Sequence, residues 1–247
     1  MGTKTILVAF TLGMLFFMSC TSTKNISYFQ SAQDTTFRPT LGMIESPIQR
    51  NDILNITVTS LSKTASADFN LADPTVKGYL VNSDGNIEMP MLGTVTAAGL
   101  TKKQLKENIT KAILATKLLK EPIVEIRYIN FEVTVLGEVT NPSVISVPSE
   151  QISLVKALGL AGDLTIYGKR ENVLLIREED GKRTTRHINL NSVDFLNSPY
   201  YYLKPNDVIY VEPSKAKIAT TNRSQQIIPI VLSGVSIIAL VLDRIIK

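Results

Sequence analysis

The chain has 247 residues, with 26 basic and 22 acidic side chains, one histidine and one cysteine. A mild, dispersed positive excess without a basic tract excludes a nucleic-acid binder, and a lone cysteine excludes an internal disulfide. A lone histidine leaves neither a histidine metal cluster nor a Ser-His-Asp triad more than one possible centre.

The N-terminus carries one cation, Lys4, then an apolar run from Ile6 to Met18 broken only by Thr11 and Gly13, then Ser19 and Cys20. This is the layout of a secretory signal peptide over residues 1–19. Cys20 stands where a bacterial lipoprotein signal places the residue to be lipidated, although Phe17 occupies the position three before it, where Leu is favoured. The competing reading is an uncleaved anchor, against which the run is short of the roughly 20 residues a span needs. Residues 20–45 form the lipidated N-terminus and a polar tether, whose small apolar group Ile26, Tyr28 and Phe29 invites docking. Fully extended, a tether of this length reaches roughly 80 Å.

Between about Ser46 and Pro213 there is room for two small domains. Ile53 to Thr59 alternates apolar and polar residues after an Asn51-Asp52 turn and predicts a half-buried strand. Tyr79–Val81 and Ile87–Met89 flank Asn82-Ser83-Asp84-Gly85-Asn86, which predicts a hairpin turned at Asp84-Gly85. The alternating oxygens of that loop resemble calcium ligands but lack the terminal glutamate of a calcium hand. Thr101 and Gln104 form a capping box ahead of a helix burying Leu105, Ile109, Ala112, Ile113 and Thr116. Its lysines Lys102, Lys103, Lys106 and Lys111 lie on or near the solvated side. Pro122 ends the helix region, and Ile123–Tyr128 resumes strand alternation.

A second unit begins near Phe131. It predicts a strand at Val133–Leu136, a turn at Asn141-Pro142, and a helix capped by Ser149 that carries Ile152, Val155, Leu158 and Leu160 and stops at Gly162. Further strands are expected at Asn172–Ile176, Arg186–Leu190 and Val208–Glu212, with a hairpin turn at Asp180-Gly181. Two short echoes link the units: Leu92-Gly93 with Leu136-Gly137, and Asn51-Asp52 with Asn206-Asp207. His187 sits in an alternating strand pattern, and no phosphate loop or paired-carboxylate motif appears, so no catalytic residue, metal site or cofactor is expected and an enzyme is disfavoured. The cluster Tyr200-Tyr201-Tyr202 reads either as strand structure or as a stacking surface for sugar rings.

Residues 214–247 form a linker and a terminal helix. Ile227 to Ile246 makes a helix of roughly 30 Å, the thickness of a hydrocarbon core. At about 100° per residue, Gln225, Gln226, Pro229, Ser233, Ser236, Asp243 and Arg244 fall on one face, interrupted only by Leu240. Such a stripe suits a helix packed with its own copies around water. Alternatively, the serines of a plain anchor bond back to their own helix.

From Cys20 to the C-terminus the chain resembles the outer-membrane polysaccharide export lipoproteins. The likeness is carried by Ile48-Gln49-Arg50-Asn51-Asp52-Ile53, by Val81 through Gly93 with Asp84, Gly85, Pro90 and Gly93, and in the second unit by Val135 to Val139, Ala157 to Asp163 and Leu203 to Val211. The resemblance implies an α+β chain: an export domain over 46–130, one soluble-ligand-binding β-grasp domain over 131–213, and a C-terminal transmembrane amphipathic helix. It implies lipidation at Cys20, and a pore-lining helix face of Gln225, Gln226, Ser233, Ser236 and Asp243 in a homo-oligomeric ring whose helices form an α-helical barrel. It further implies a location in the outer membrane, with the bulk of the chain in the periplasm. Polysaccharide cargo would pass unmodified, driven by an inner-membrane partner of the chain-length-regulating tyrosine-kinase type. Two alternatives are a periplasmic sugar-binding lipoprotein and a structural envelope lipoprotein, each with the helix as a simple anchor.

Overall fold

The computed structural model describes residues 27–30, 32–34, 36, 45–73, 75–179, 181–221 and 223–246. They form an α+β arrangement with two hydrophobic cores, one drawn from Ile48 to Ile126 and one from Phe131 to Val211.

In the first unit, β1 (Ile53–Thr59) lies between β2 (Tyr79–Leu80) and β5 (Ile123–Tyr128), antiparallel to both. The alternation of β1 sends Leu54, Ile56 and Val58 into the core, opposite Val124 and Ile126 of β5. Between β1 and β2 comes a short helix α1 (Lys63–Ala67), which sequence reasoning did not anticipate. The helix α2 (Lys102–Thr116) starts with the expected capping box, with both the Thr101 and the Gln104 side-chain bonds in place. It buries Leu105, Ile109 and Ile113, spaced four apart along one face. Each such side chain contributes about 1.5–3 kcal/mol on burial.

The predicted hairpin at residues 82–86 is corrected by the strand pairing. β2 pairs with β1, whereas β3 (Asn86–Met89) pairs with the unanticipated β4 (Gly93–Thr96) through a turn at Pro90–Leu92. The local turn itself forms: Asn82 Oδ1 accepts from the amides of Asp84 and Asn86 at 3.0 and 2.9 Å, and Gly85 takes φ 84°. It redirects the chain from one sheet to another instead of closing a ladder.

The second unit is a five-stranded sheet in the order β7 (Ser143–Ser146), β6 (Glu132–Gly137), β10 (Val208–Pro213), β8 (Gly168–Glu179), β9 (Lys182–Ile188). β10 runs parallel to β6 and antiparallel to β8, so the last strand of the unit is its central one. Val133, Val135, Val173, Leu175, Ile209 and Val211 point to one face, against Leu154, Ala157 and Leu158 of helix α3 (Leu154–Leu160). The cap of α3 is Ser153, whose hydroxyl accepts from the Lys156 amide at 3.2 Å, and not Ser149, whose hydroxyl donates to the Gln151 carbonyl. The helix therefore starts later than expected, with Ile152 in the approach to it. Gly162 follows the C-cap at φ 78°, as a helix stop requires. The β8–β9 hairpin closes through Gly181 at φ 70°, as read from the sequence.

Helix α4 (Lys215–Thr221) leaves β10, and helix α5 (Arg223–Ile246) contains Pro229. Among the described residues, no helix is long and apolar enough to cross a membrane.

Candidate functional site

The two Asn-Asp echoes turn out to be one structure used twice. Asn51 and Asn206 adopt left-handed φ values of 71° and 66°, the geometry that Asn accepts most readily after Gly. The following aspartates are 2 % and 1 % exposed, and each accepts a hydrogen bond from the amide three residues earlier: Gln49 to Asp52 at 2.7 Å and Lys204 to Asp207 at 2.8 Å. Each turn delivers the chain into a strand, β1 in the first unit and β10 in the second.

Their electrostatics differ. Arg177 donates to both oxygens of Asp207, Nε at 2.8 Å and Nη2 at 2.6 Å, a two-point fork that satisfies a buried charge. Among the described residues Asp52 has no such cation, and burial pushes its carboxyl up to about 6 despite the opposing Gln49 hydrogen bond. Sequence reasoning missed Arg177. Its signal is an arginine at an inward position of β8, two beyond Leu175.

Around the Asp52 turn the residues that carry the first unit's family resemblance knit together through the backbone. Asn51 donates to the Val81 carbonyl at 2.9 Å, Val81 donates to Asp52 O at 2.9 Å, Ala97 donates to Gly85 O at 2.9 Å, and Gly99 donates to Ile48 O at 2.9 Å. A Cβ at Gly85 would lie 2.8 Å from that of Ala98, so this glycine is needed for both φ and space. Asp52 and Gly85 are thus brought into one frame. Asp84 lies exposed on the loop surface, while Pro90 and Gly93 sit away from this frame at the β3–β4 turn, where Gly93 has φ 71°.

The units meet at Glu150. Its Oε1 accepts from the Tyr128 amide at 2.6 Å, and its Oε2 takes an ion pair from Lys102, whose ammonium lies 5.5 Å from the Tyr128 ring centroid. Gln49 Nε2 adds a bond to the Glu178 carbonyl at 3.1 Å. One of the four expected surface lysines is therefore part of a seam between the units.

The tyrosine cluster is mostly structural. Tyr201 packs on Phe195 and its carbonyl accepts from the Leu154 amide at 2.9 Å; the Tyr200 hydroxyl accepts from Arg186 Nε at 2.8 Å. Tyr202 alone keeps an exposed flank. His187 is exposed on β9 opposite Leu174, and among the described residues no cluster of His, Cys, Asp and Glu could hold a metal ion.

Cys20 and Ile26 lie outside the described residues. Tyr28 and Phe29 do dock, on the second unit: Phe29 N donates to Leu190 O at 3.1 Å, Gln30 N to Asn191 O at 2.7 Å, and the Tyr28 hydroxyl donates to Asp163. In the terminal helix, Ser233 Oγ donates to Ile230 O and Ser236 Oγ to Leu232 O, both at 2.9 Å, the back-bonding expected of serines in an apolar helix. Gln225, Gln226 and Asp243 occupy helix positions whose side chains lie outside the described residues.

Residues 45–128 match the family of polysaccharide biosynthesis/export proteins, and residues 133–186 match the SLBB domain. The chain is 28 % identical over 144 residues to the EPS I polysaccharide export outer membrane protein EpsA of Ralstonia solanacearum, covering 57 % of this chain and 37 % of that protein. It is 29 % identical over 143 residues to the protein of the same name from Ralstonia nicotianae, covering 56 % and 36 %. The chain thus spans little more than a third of the relatives it matches.

Proposed function

The chain belongs to the polysaccharide export protein family, and from that premise we propose that it is an outer-membrane channel component that exports capsular or exopolysaccharide. The observation that carries this reading is the order of the two matches, export domain then SLBB domain, in a chain similar to proteins named as polysaccharide export outer membrane proteins. The family consists of transport components and not enzymes, so the polymer leaves as it arrived.

In this reading the signal peptide directs export, Cys20 is acylated, and residues 46–213 stand in the periplasm as an export domain followed by one β-grasp domain. Copies of the chain close into a ring. The run Ile227–Ile246, taken whole, crosses the outer membrane, with Gln225, Gln226, Ser233, Ser236 and Asp243 turned to a water-filled lumen and Ile230, Val231, Val235 and Ile238 toward lipid. Those four apolar side chains are exposed in the single chain, as a helix awaiting neighbours or lipid would leave them. An inner-membrane partner of the chain-length-regulating tyrosine-kinase type pushes the polymer from below.

Deletion of the gene tests the reading: surface polysaccharide is lost while the polymer accumulates inside the envelope, and detergent-extracted protein forms rings in electron micrographs viewed down the axis. Unchanged surface polysaccharide together with protein that forms no rings would leave a sugar-binding or scaffolding lipoprotein instead.

A further inference from the structure

The five-stranded sheet of the second unit has two faces, and the described residues cover one of them. Val133, Val135, Val173, Leu175, Ile209 and Val211 meet α3, while the alternate residues of the same strands form two cross-strand rows on the opposite face. One row runs Val144, Thr134, Val208, Ile176, Thr185, and the next runs Leu136, Tyr210, Leu174, His187. Val144, Val208, Ile176, Leu136, Tyr210 and Leu174 thus make one contiguous apolar surface, and they belong to neither hydrophobic core. Val144 and Leu136 are 57 % and 43 % exposed, and the other four are half-buried between neighbouring strands.

A sheet face left to water carries polar residues at every second position. Here Val173-Leu174-Leu175-Ile176 of β8 and Val208-Ile209-Tyr210-Val211 of β10 are unbroken apolar runs, the pattern of strands buried on both faces. Charged residues border the apolar rows: Glu178 paired with Arg183, Glu212 paired with Lys169, and the exposed Glu132. An apolar centre inside a polar rim is the anatomy of a protein interface. The rim has three acids against two bases, which does not attract anionic lipid. The centre has few hydrogen-bonding groups, so a polysaccharide laid on it would leave hydroxyls unpaired.

A surface of complementary character lies at one end of the first unit. Leu61, 90 % exposed, follows Thr59, which pairs with Ile123 across β1 and β5. Leu118 lies in the connection from α2 to β5, and both Leu118 and Ile123 are exposed. Around these three aliphatic side chains stand the exposed Lys63, Lys117 and Lys120, with Glu121 beside them. Ile123 is at the opposite end of β5 from Tyr128, the residue at the seam with the second unit, roughly 17 Å away along the strand. The tip therefore points away from its own second unit and is free to meet another copy.

We propose that the outer face of the second unit's sheet is the seat for the Leu61–Leu118–Ile123 tip of a neighbouring copy of this chain. Apolar rows meet apolar side chains, and the acidic rim meets the lysines. The two surfaces are unlike, so every copy keeps one of each unused until the assembly closes, which is the contact a ring requires; a face paired with its own copy would stop at two. The inference rests on the ring of the functional reading above and supplies its subunit contact.

The test uses the full chain extracted in detergent. Chains carrying Leu136→Cys and chains carrying Leu118→Cys are co-expressed and treated with a short bis-maleimide, with the wild-type chain, whose one cysteine is Cys20, as the blank. The mixture gives a cross-linked dimer and either variant alone gives little. Leu136→Glu and Leu118→Glu each lower the yield of rings in electron micrographs about tenfold, because a carboxylate is trapped in a dry contact, while circular dichroism shows both variants folded. An equal yield of dimer from Leu136→Cys alone overturns the proposal in favour of a face paired with its own copy. Rings that persist in both glutamate variants, or that form without the mixed cross-link, overturn this contact and leave the ring standing. A wild-type chain that forms no rings removes the ring reading and this contact with it.

Discussion

Arg177 and Asp207 form a buried two-point ion pair 30 residues apart in sequence, at 2.8 and 2.6 Å, which locks the entry to the central strand β10 onto β8. The same turn in the first unit, at Asp52, has no counterpart of Arg177 among the described residues. A single local motif therefore supports two opposite electrostatic settings.

Arg177→Met leaves Asp207 buried without its cation and destabilises the second unit by about 3–5 kcal/mol. Urea denaturation followed by circular dichroism measures the loss. Adding Asp207→Asn to Arg177→Met recovers part of it, because the uncompensated charge is gone.

Asp52 gives the first unit a pH dependence of definite sign. Its folded value, pushed up to about 6, lies above the ordinary 3.8, so the folded state holds the proton more tightly than the unfolded one. The stabilisation from this group is full below about pH 4 and is lost as pH rises through 6. The difference between wild type and Asp52→Asn, followed as the urea midpoint between pH 4 and 7, falls in that window; a flat difference contradicts the assignment.

Two glycines with similar backbone angles respond differently to alanine. Gly137 has φ 91° and a Cβ there would collide with the Val211 carbonyl, whereas Gly181 has φ 70° and open space around it. Gly137→Ala costs more than about 3 kcal/mol because both strain and overlap act. Gly181→Ala costs about 1 kcal/mol from the left-handed backbone alone. Thermal midpoints of the two variants separate the effects.

Glu150→Ala removes the Lys102 pair and the acceptor for the Tyr128 amide in one step. The pair is partly solvated, so the cost is modest, about 1–2 kcal/mol. Proteolysis between the units, around Ile129 and Asn130, accelerates correspondingly.

Local signals in the sequence carried much of the fold and little of its long-range wiring. β1 and β5 coincide with the alternating runs Ile53–Thr59 and Ile123–Tyr128, and the Thr101–Gln104 box starts α2, because each depends on neighbours in sequence. The Asn82–Asn86 turn was legible for the same reason, but the partner of β2 was not. Tyr79 and Leu80 choose Leu54 and Ile53, 25 and 27 residues away, over the strand that follows them. The sequence offers Ser149 as the cap, whereas packing of Leu154 and Leu158 into the second core sets the helix start at Ser153. The Asn51–Asn206 echo was visible as letters, whereas the Arg177 that distinguishes its two copies was hidden inside a strand. Tyr28 stands in a polar stretch with no period to read, and its place beside Asp163 and Arg170 emerges only once the loop between α3 and β8 is folded.

The claim that the terminal helix lines an export channel is tested most directly by thiol labelling of the assembled protein in membranes. In the proposed reading Cys20 is acylated, so that Ser233→Cys, Ser236→Cys and Ile238→Cys each provide one reactive thiol. Labelling of the Ser233 and Ser236 variants by a water-soluble maleimide, with Ile238→Cys protected, is the predicted result; equal protection of all three would contradict a water-filled lumen and leave a plain anchor.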